Sequence, residues 1–188
     1  MGKKKISNSE ILQVALQLID ENGLDNLQMK DIAARLKIKS ASLYKHFKNY
    51  DDVVINLYIL CLIDFRKYIE DRIDGSDAED GIQKMSYAFL EYLEKYNNRY
   101  EVVLKSKHCL HPSVREEDKK LIGNLLQFLD SYCKNREDTI NAARIYRSMI
   151  TGFSFYESKG LFSLPIVSSK KTFDILIDNY ISYLKHLV

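Results

Sequence analysis

Apolar positions recur along most of the chain at intervals of three and four, the period of a helix with one buried face. The first such stripe is Ile11, Leu12, Ala15, Leu18 and Ile19. Its start is marked by Ser7 and Glu10, spaced for a capping box, with Ile6 and Ile11 spaced for a hydrophobic staple across it. Asn22-Gly23 closes it, with Gly23 available for a left-handed C-terminal residue. A second stripe, Met29, Ile32, Ala33 and Leu36, predicts a helix over 29–36. After the break Lys37-Ile38-Lys39, a third short helix is expected over 40–47, with Leu43 and Phe47 one turn apart on its inner face.

From residue 51 the pattern remains helical. Expected helices span 51–73, 82–96, 99–108, 113–134, 136–159 and 170–187, making about nine in all. Asp74-Gly75-Ser76-Asp77 breaks the chain after the first of these, and Ser76 or Asp77 is placed to cap the next helix. A loop over 160–169 separates the last two. The chain is therefore expected to be all-α: a three-helix N-terminal head, 1–50, on a helical second domain, 51–188. No repeat or low-complexity tract interrupts it.

Composition supports this picture. Apolar residues make up 46% of the 188, enough for a core, and two prolines with seven glycines leave few helix breakers. No signal peptide is expected from the first residues, and the greasiest run, Val53 to Ile63, is too short to span a bilayer. The three cysteines, Cys61, Cys109 and Cys133, are widely spaced and read as free thiols of a cytoplasmic protein. Charge is uneven: residues 1–50 carry nine Lys/Arg against five Asp/Glu, while the remainder is slightly acidic. A basic head on a different kind of body suits a nucleic-acid partner.

Two short helices joined by three residues are the size of a DNA-binding helix-turn-helix. Leu43 and Phe47 would anchor the second of them, with Ile38 filling the space between. Its outer face is then Ser40, Ala41, Ser42, Tyr44, Lys45 and His46, small where a backbone must approach and polar where bases are read. The alternative for Tyr44 is packing at the helix interface, and for Lys45 a solvated surface position. Lys3, Lys4 and Lys5 read either as a solubilising tail or as an arm along DNA.

The string Asp31-Ile32-Ala33-Ala34-Arg35-Leu36, then Ile38, then Ala41-Ser42-Leu43-Tyr44-Lys45-His46-Phe47-Lys48-Asn49 resembles the head of the tetracycline-repressor (TetR/AcrR-like) family. The resemblance implies a ligand-responsive transcriptional regulator, with repressor the leading reading, that binds a palindromic operator as a homodimer. It places Ser40, Ala41 and Lys45 against bases, and Ser42, Tyr44 and His46 against phosphates or in support of the groove contacts. The start of the next helix, near Asn49 and Tyr50, would lie on the DNA backbone. Lys30, Lys39 and Lys48 complete the expected DNA-binding set. Four positions depart from the family pattern. Lys37 stands where glycine is usual in the turn, Lys39 where a Ser-type cap is usual, so that Ser40 could cap instead, and Gln28 where Thr or Ser caps. Tyr50 replaces a common phosphate-binding lysine, leaving that contact to Lys48.

Thirteen tyrosines and eight phenylalanines are available to line an effector pocket between helices. Tyr58, Phe65, Tyr87, Phe89, Tyr92, Phe128, Tyr132 and Tyr156 are the candidates, suiting a hydrophobic, aromatic or planar cationic effector; each also suits ordinary core. The family resemblance further implies that the last two helices pair with their twins in a four-helix bundle, through Tyr146, Met149, Phe153, Phe173, Leu176, Ile177, Tyr180, Ile181 and Leu184. His108-Cys109-Leu110-His111 has zinc-ligand types but no second cluster, so no metal or other cofactor is expected. A Gly-rich phosphate loop, G-x-S-x-G and H-E-x-x-H are all missing, which argues against an enzyme. A helical interaction module that no longer binds DNA, and an activator instead of a repressor, stay open as alternatives.

Overall fold

The computed structural model describes residues 6–105, 107–164 and 166–187; Lys3, Lys4 and Lys5 lie outside them. Among the described residues the chain is eight α-helices and one 3₁₀ turn (Leu24–Asn26), with no strand. The helices are α1 (Asn8–Asn22), α2 (Met29–Arg35), α3 (Ser40–Leu43), α4 (Tyr50–Ile73), α5 (Ala78–Lys105), α6 (Pro112–Leu129), α7 (Arg136–Ser158) and α8 (Ser169–Lys185). No helix of the described residues is long and apolar enough to cross a membrane.

The count is one short of the expected nine because the patterns over 82–96 and 99–108 belong to one helix. Within α5, Tyr96 leaves helical geometry (φ −132°, ψ 40°), so the helix kinks where two separate helices were expected. The polar pair Asn97-Asn98 follows that point, and the sequence pattern reads it as a break. Two other boundaries also shift. The α-helical part of α3 stops at Leu43, and tighter three-residue turns carry the chain on, with the His46 N–H donating to the Leu43 carbonyl at 2.9 Å. α6 ends at Leu129, and Asn135 caps α7 by accepting from the Asp138 N–H at 3.0 Å.

The described chain forms two compact units: residues up to 64 together with 96–118, and 65–95 together with 119 onward. In the first unit the capping box of α1 is present, with Ser7 Oγ accepting from the Glu10 N–H at 3.1 Å and the Glu10 carboxylate accepting from the Ser7 N–H at 2.9 Å. Gly23 ends the helix at φ 76°, ψ 164°, a positive φ as expected but with extended ψ in place of the left-handed helical value. The core of this unit includes Ile11, Ala15, Ile19, Ile32, Leu43 and Phe47, with Val53, Leu57, Cys61 and Leu62 from α4.

The second unit is built on an aromatic core. Phe65 of α4 lies 5.1 Å from Phe89 and 4.7 Å from Tyr92 of α5, centroid to centroid. Phe173 of α8 sits 4.9 Å from Phe153 of α7. Hydrogen bonds between buried polar groups tie the same elements: the Ser86 and Tyr146 hydroxyls share one of 2.9 Å, and the Tyr180 hydroxyl donates to the Ala142 carbonyl at 2.9 Å. Asp77, not Ser76, caps α5, its carboxylate accepting from the Asp80 N–H at 2.9 Å.

Candidate nucleic-acid interface

The turn between α2 and α3 sets the presentation of the site. The Lys37 N–H donates to the Ala34 carbonyl and the Ile38 N–H to the Ala33 carbonyl, each at 3.0 Å, which is the Schellman termination of a helix. Such a motif needs a left-handed residue at its centre, and Lys37 supplies it at φ 56°. Among the described residues no other non-glycine has positive φ. Neither Gln28 nor Lys39 makes a side-chain cap bond, and Ser40 lies inside α3 as its first residue instead of capping it.

α3 is anchored from within. Leu43 is fully buried and Phe47 nearly so, alongside buried Ile32 and Ala33 of α2. This turns Ser40, Ala41, Tyr44 and Lys45 outward, with Tyr44 55% exposed, too open for a packing residue. Lys30, Lys39 and Lys48 are exposed as well, and Ser42 is half-buried. The face is small, basic and aromatic over about one turn.

Two further expected positions, His46 and the start of α4, have partners within the protein. His46 is half-buried, and its Nδ1 stands 2.7 Å from Oδ1 of Asn8, at the start of α1. At the start of α4, Asn49 accepts from the Asp52 N–H at 2.9 Å, and the Asp52 carboxylate accepts from the Lys48 N–H at 2.9 Å. The α4 terminus thus carries its own cap and two acidic residues, Asp51 and Asp52. Tyr50 is half-buried, and burial followed by the charges of Asp25 and Asp51 pushes its hydroxyl pKa up.

The expected effector residues divide between the units. Tyr58 is buried in the first. In the second, Phe65, Phe89 and Tyr92 pack on one another, Tyr87 donates from its hydroxyl to Asp174, and Tyr132 is half-buried. Phe128 lies over Gly81, and Tyr156 is exposed and stacked on Phe162 at 5.8 Å. An open apolar hollow of about 380 Å³ occurs elsewhere, at the α7–α8 loop, lined by Leu161, Phe162, Leu164, Ile166, Val167 and Thr172 among others. None of the eight expected residues lines it.

The expected pairing residues of α7 and α8 mostly face the interior of their own unit. Tyr146, Phe153, Phe173, Ile177, Tyr180, Ile181 and Leu184 are buried, while Met149 and Leu176 are half-buried. The same helices expose Ile145, Phe155, Tyr156, Ile175 and Tyr183. His108 Nε2 lies 3.4 Å from the Asp51 carboxylate, and among the described residues no group of three or more His, Cys, Asp or Glu is arranged to hold a metal ion.

Residues 11–57 match the family of bacterial regulatory proteins, tetR family, and residues 82–180 match the tetracyclin repressor-like C-terminal domain. An uncharacterized HTH-type transcriptional regulator of Mycobacterium tuberculosis is 24% identical, over 84% of this chain and 72% of its own. The biofilm operon negative transcriptional regulator IcaR of Staphylococcus epidermidis is also 24% identical, over 73% of this chain and 78% of its own. The fold is that of a TetR variant from Acinetobacter baumannii solved in complex with minocycline. That structure has a TM-score of 0.72 and 18% identity, and the match covers 97% of this chain and 98% of that one. With one family match over the helix-turn-helix and another over more than half of the chain, the protein belongs to the TetR family of helix-turn-helix transcriptional regulators.

Proposed function

We propose that the protein is a ligand-responsive repressor that binds a palindromic operator as a homodimer, reading bases through Ser40, Ala41 and Lys45. Residues 1–50 serve DNA; residues 51–188 serve effector binding and pairing. The observation that carries the reading is α3 itself: Leu43 and Phe47 are buried while Ser40, Ala41, Tyr44 and Lys45 stand open, the division a helix needs to enter a major groove. Ser42, Tyr44, Lys30, Lys39 and Lys48 take phosphates, which fix register without reading sequence. The sign of regulation follows IcaR, named a negative regulator.

Pairing is assigned to the exposed faces of α7 and α8. Ile145, Ser148, Gly152 and Tyr156 follow one another at helical spacing, and the Gly152 side stands open, with nothing within 4 Å of where a Cβ would be. Such a strip, apolar at its ends and small in its middle, lets a second helix approach closely. Met149, Leu176 and Ile175 flank the contact, while the fully buried aromatics hold the two helices together. A two-fold pair of heads then meets half-sites about 34 Å apart.

The effector is a hydrophobic or aromatic small molecule taken up in the second domain, as the neighbouring TetR variant takes minocycline. α4 runs unbroken from the DNA head into the second unit, residues 50–64 in one and 65–73 in the other. Its displacement by effector changes operator affinity, and operator must then change effector affinity by the same factor.

Fluorescence anisotropy on duplex DNA from upstream of the protein's own gene, beside a scrambled duplex and across a salt series, tests this. Selective binding that survives moderate salt, and loses its selectivity in Lys45→Ala, is the expected result. Equal, salt-sensitive binding to both duplexes would reduce the head to a basic patch. No binding to either would favour an interaction module with a silent head.

A further inference from the structure

Lys107 lies in the turn between α5 and α6, far along the chain from the helix-turn-helix. Its Nζ nevertheless stands 3.1 Å from Oδ2 of Asp51, in the first turn of α4. The neighbouring His108 places Nε2 3.4 Å from the other oxygen of the same carboxylate. The turn that carries both is closed by the His111 N–H, which donates to the His108 carbonyl at 2.9 Å. A segment outside the reading head is thereby fastened to the start of α4.

With α3 in a major groove, that start lies beside a phosphate strand. A helix about 10–12 Å across fills a groove about 12 Å wide, so the chain leaving α3 emerges at the strand bordering it. Carboxylates gather there. Asp51 and Asp52 both belong to the first turn of α4, and Asp25 is near enough for its charge to act on the Tyr50 hydroxyl. The Asp52 carboxylate accepts from the Lys48 N–H at 2.9 Å, while Asp51 is met by Lys107. The Lys107 side chain is 71% exposed against 46% for Asp51, so its ammonium faces solvent even as it touches the carboxylate. An ammonium carries three hydrogens, and one bond to Asp51 leaves it able to donate to a phosphate oxygen as well.

We propose that Lys107 is a phosphate-binding residue of the DNA interface, supplied to the start of α4 by the α5–α6 turn and oriented there by Asp51. This rests on the DNA-binding reading above and carries the interface beyond residues 1–50. Tyr50 supplies no cation at this place; Lys107 brings one to the adjoining residue.

The test is operator anisotropy of the full-length protein across a salt series, with four variants. Lys107→Ala should weaken operator binding about three- to tenfold for each head, and make the fall of log affinity with log salt shallower by about 0.9 for each head. Lys107→Arg keeps the charge and should retain the affinity and salt slope of the wild type. Lys107→Ala should melt with the wild type, because an exposed ion pair adds little stability. A lysine that only neutralised Asp51 would cease to matter once that charge was gone. Asp51→Asn and Asp51→Asn/Lys107→Ala separate the two roles: loss of the lysine should cost affinity and salt slope in this background too. A wild type that selects its duplex, with Lys107→Ala binding at the same affinity and slope, would overturn this inference alone. So would a loss seen only where Asp51 is kept. No selective binding by the wild type at any salt would overturn the DNA-binding reading, and this one with it.

Discussion

Arg99 of α5 grips Asp20 in the last turn of α1 with two parallel hydrogen bonds, Nε and Nη2 reaching the two carboxylate oxygens at 2.8 and 2.7 Å. Its remaining nitrogen, Nη1, bonds Asp64 of α4 at 3.1 Å, and the guanidinium lies 4.5 Å from the centroid of the Tyr96 ring. The Asn98 amide donates to the Asp20 carbonyl at 3.0 Å, adding a second tie to the same turn. The hydrogen bond to Asp20 pushes the guanidinium pKa further up, against the opposing effect of burial. One side chain thus joins three helices of the first unit. Arg99→Met should lower stability by about 2 kcal/mol, because two partly covered carboxylates lose the guanidinium that bridges them. Arg99→Lys should recover little of it, since an ammonium lacks the planar fork. Denaturant unfolding of the purified variants measures both.

Lys37 offers the opposite kind of change. The Schellman turn after α2 is built on Lys37 at φ 56°; after α7 the same hydrogen-bond pattern is built on Gly160 at φ 65°. A side chain in this region costs about 1 kcal/mol or more, part of which glycine gives back through the greater freedom of its unfolded chain. Lys37→Gly should therefore raise stability by about 0.5–1 kcal/mol, read as a higher melting temperature. An unchanged or lower one would mean that the Lys37 side chain makes compensating contacts.

At Gly81 the limit is space. A Cβ there would stand 2.2 Å from Cζ of Phe128, far inside contact distance. Gly81 is buried and Phe128 half-buried, so Gly81→Ala must push the ring tip aside, at a cost of about 1–3 kcal/mol. The double variant Gly81→Ala/Phe128→Leu should lose less than the two single changes together, and a double-mutant cycle by denaturant unfolding checks this.

Acid should weaken the fold through four carboxylates held below their ordinary range. Glu21 is lowered by its hydrogen bonds from Arg35, Asp51 by Lys107 and His108, and Asp80 by Lys84 and Ser76. For Glu70, burial acts upward but is outweighed by hydrogen bonds from Arg66 and Asn124. A depressed carboxylate gives its stabilisation in full above its unfolded value, 4.5 for Glu and 3.8 for Asp, and loses it as pH falls through the lower folded value. Melting temperature should thus drop below about pH 4.5, less steeply in Glu70→Gln. Added salt should blunt the part owed to the exposed pairs.

What could be read from sequence was what is local. The capping box at Ser7 and Glu10, the stop at Gly23 and the buried pair Leu43 and Phe47 all depend on residues within a few positions of one another. Tyr96 shows where this ends. A kink and a loop both interrupt an apolar stripe, and only the backbone distinguishes them. α7 and α8 show a second boundary, because each is apolar on more than one face. Periodicity picks out the richer face, Tyr146, Phe153, Phe173 and Ile177, without saying that it is turned towards its own chain. Contacts such as Asn8 with His46, or Arg99 with Asp20, join ordinary polar residues across 38 and 79 positions and leave no mark in a single sequence.

Gly23, with ψ at 164° alongside its positive φ, occupies a region of backbone space open essentially to glycine alone. Lys37 shows that a left-handed helical position can drift to another residue and persist; the position after α1 has no such latitude. In a saturation library of the head selected for folding, position 23 should retain glycine almost alone. The most constrained letter of this DNA-binding module would then be one that need never touch DNA.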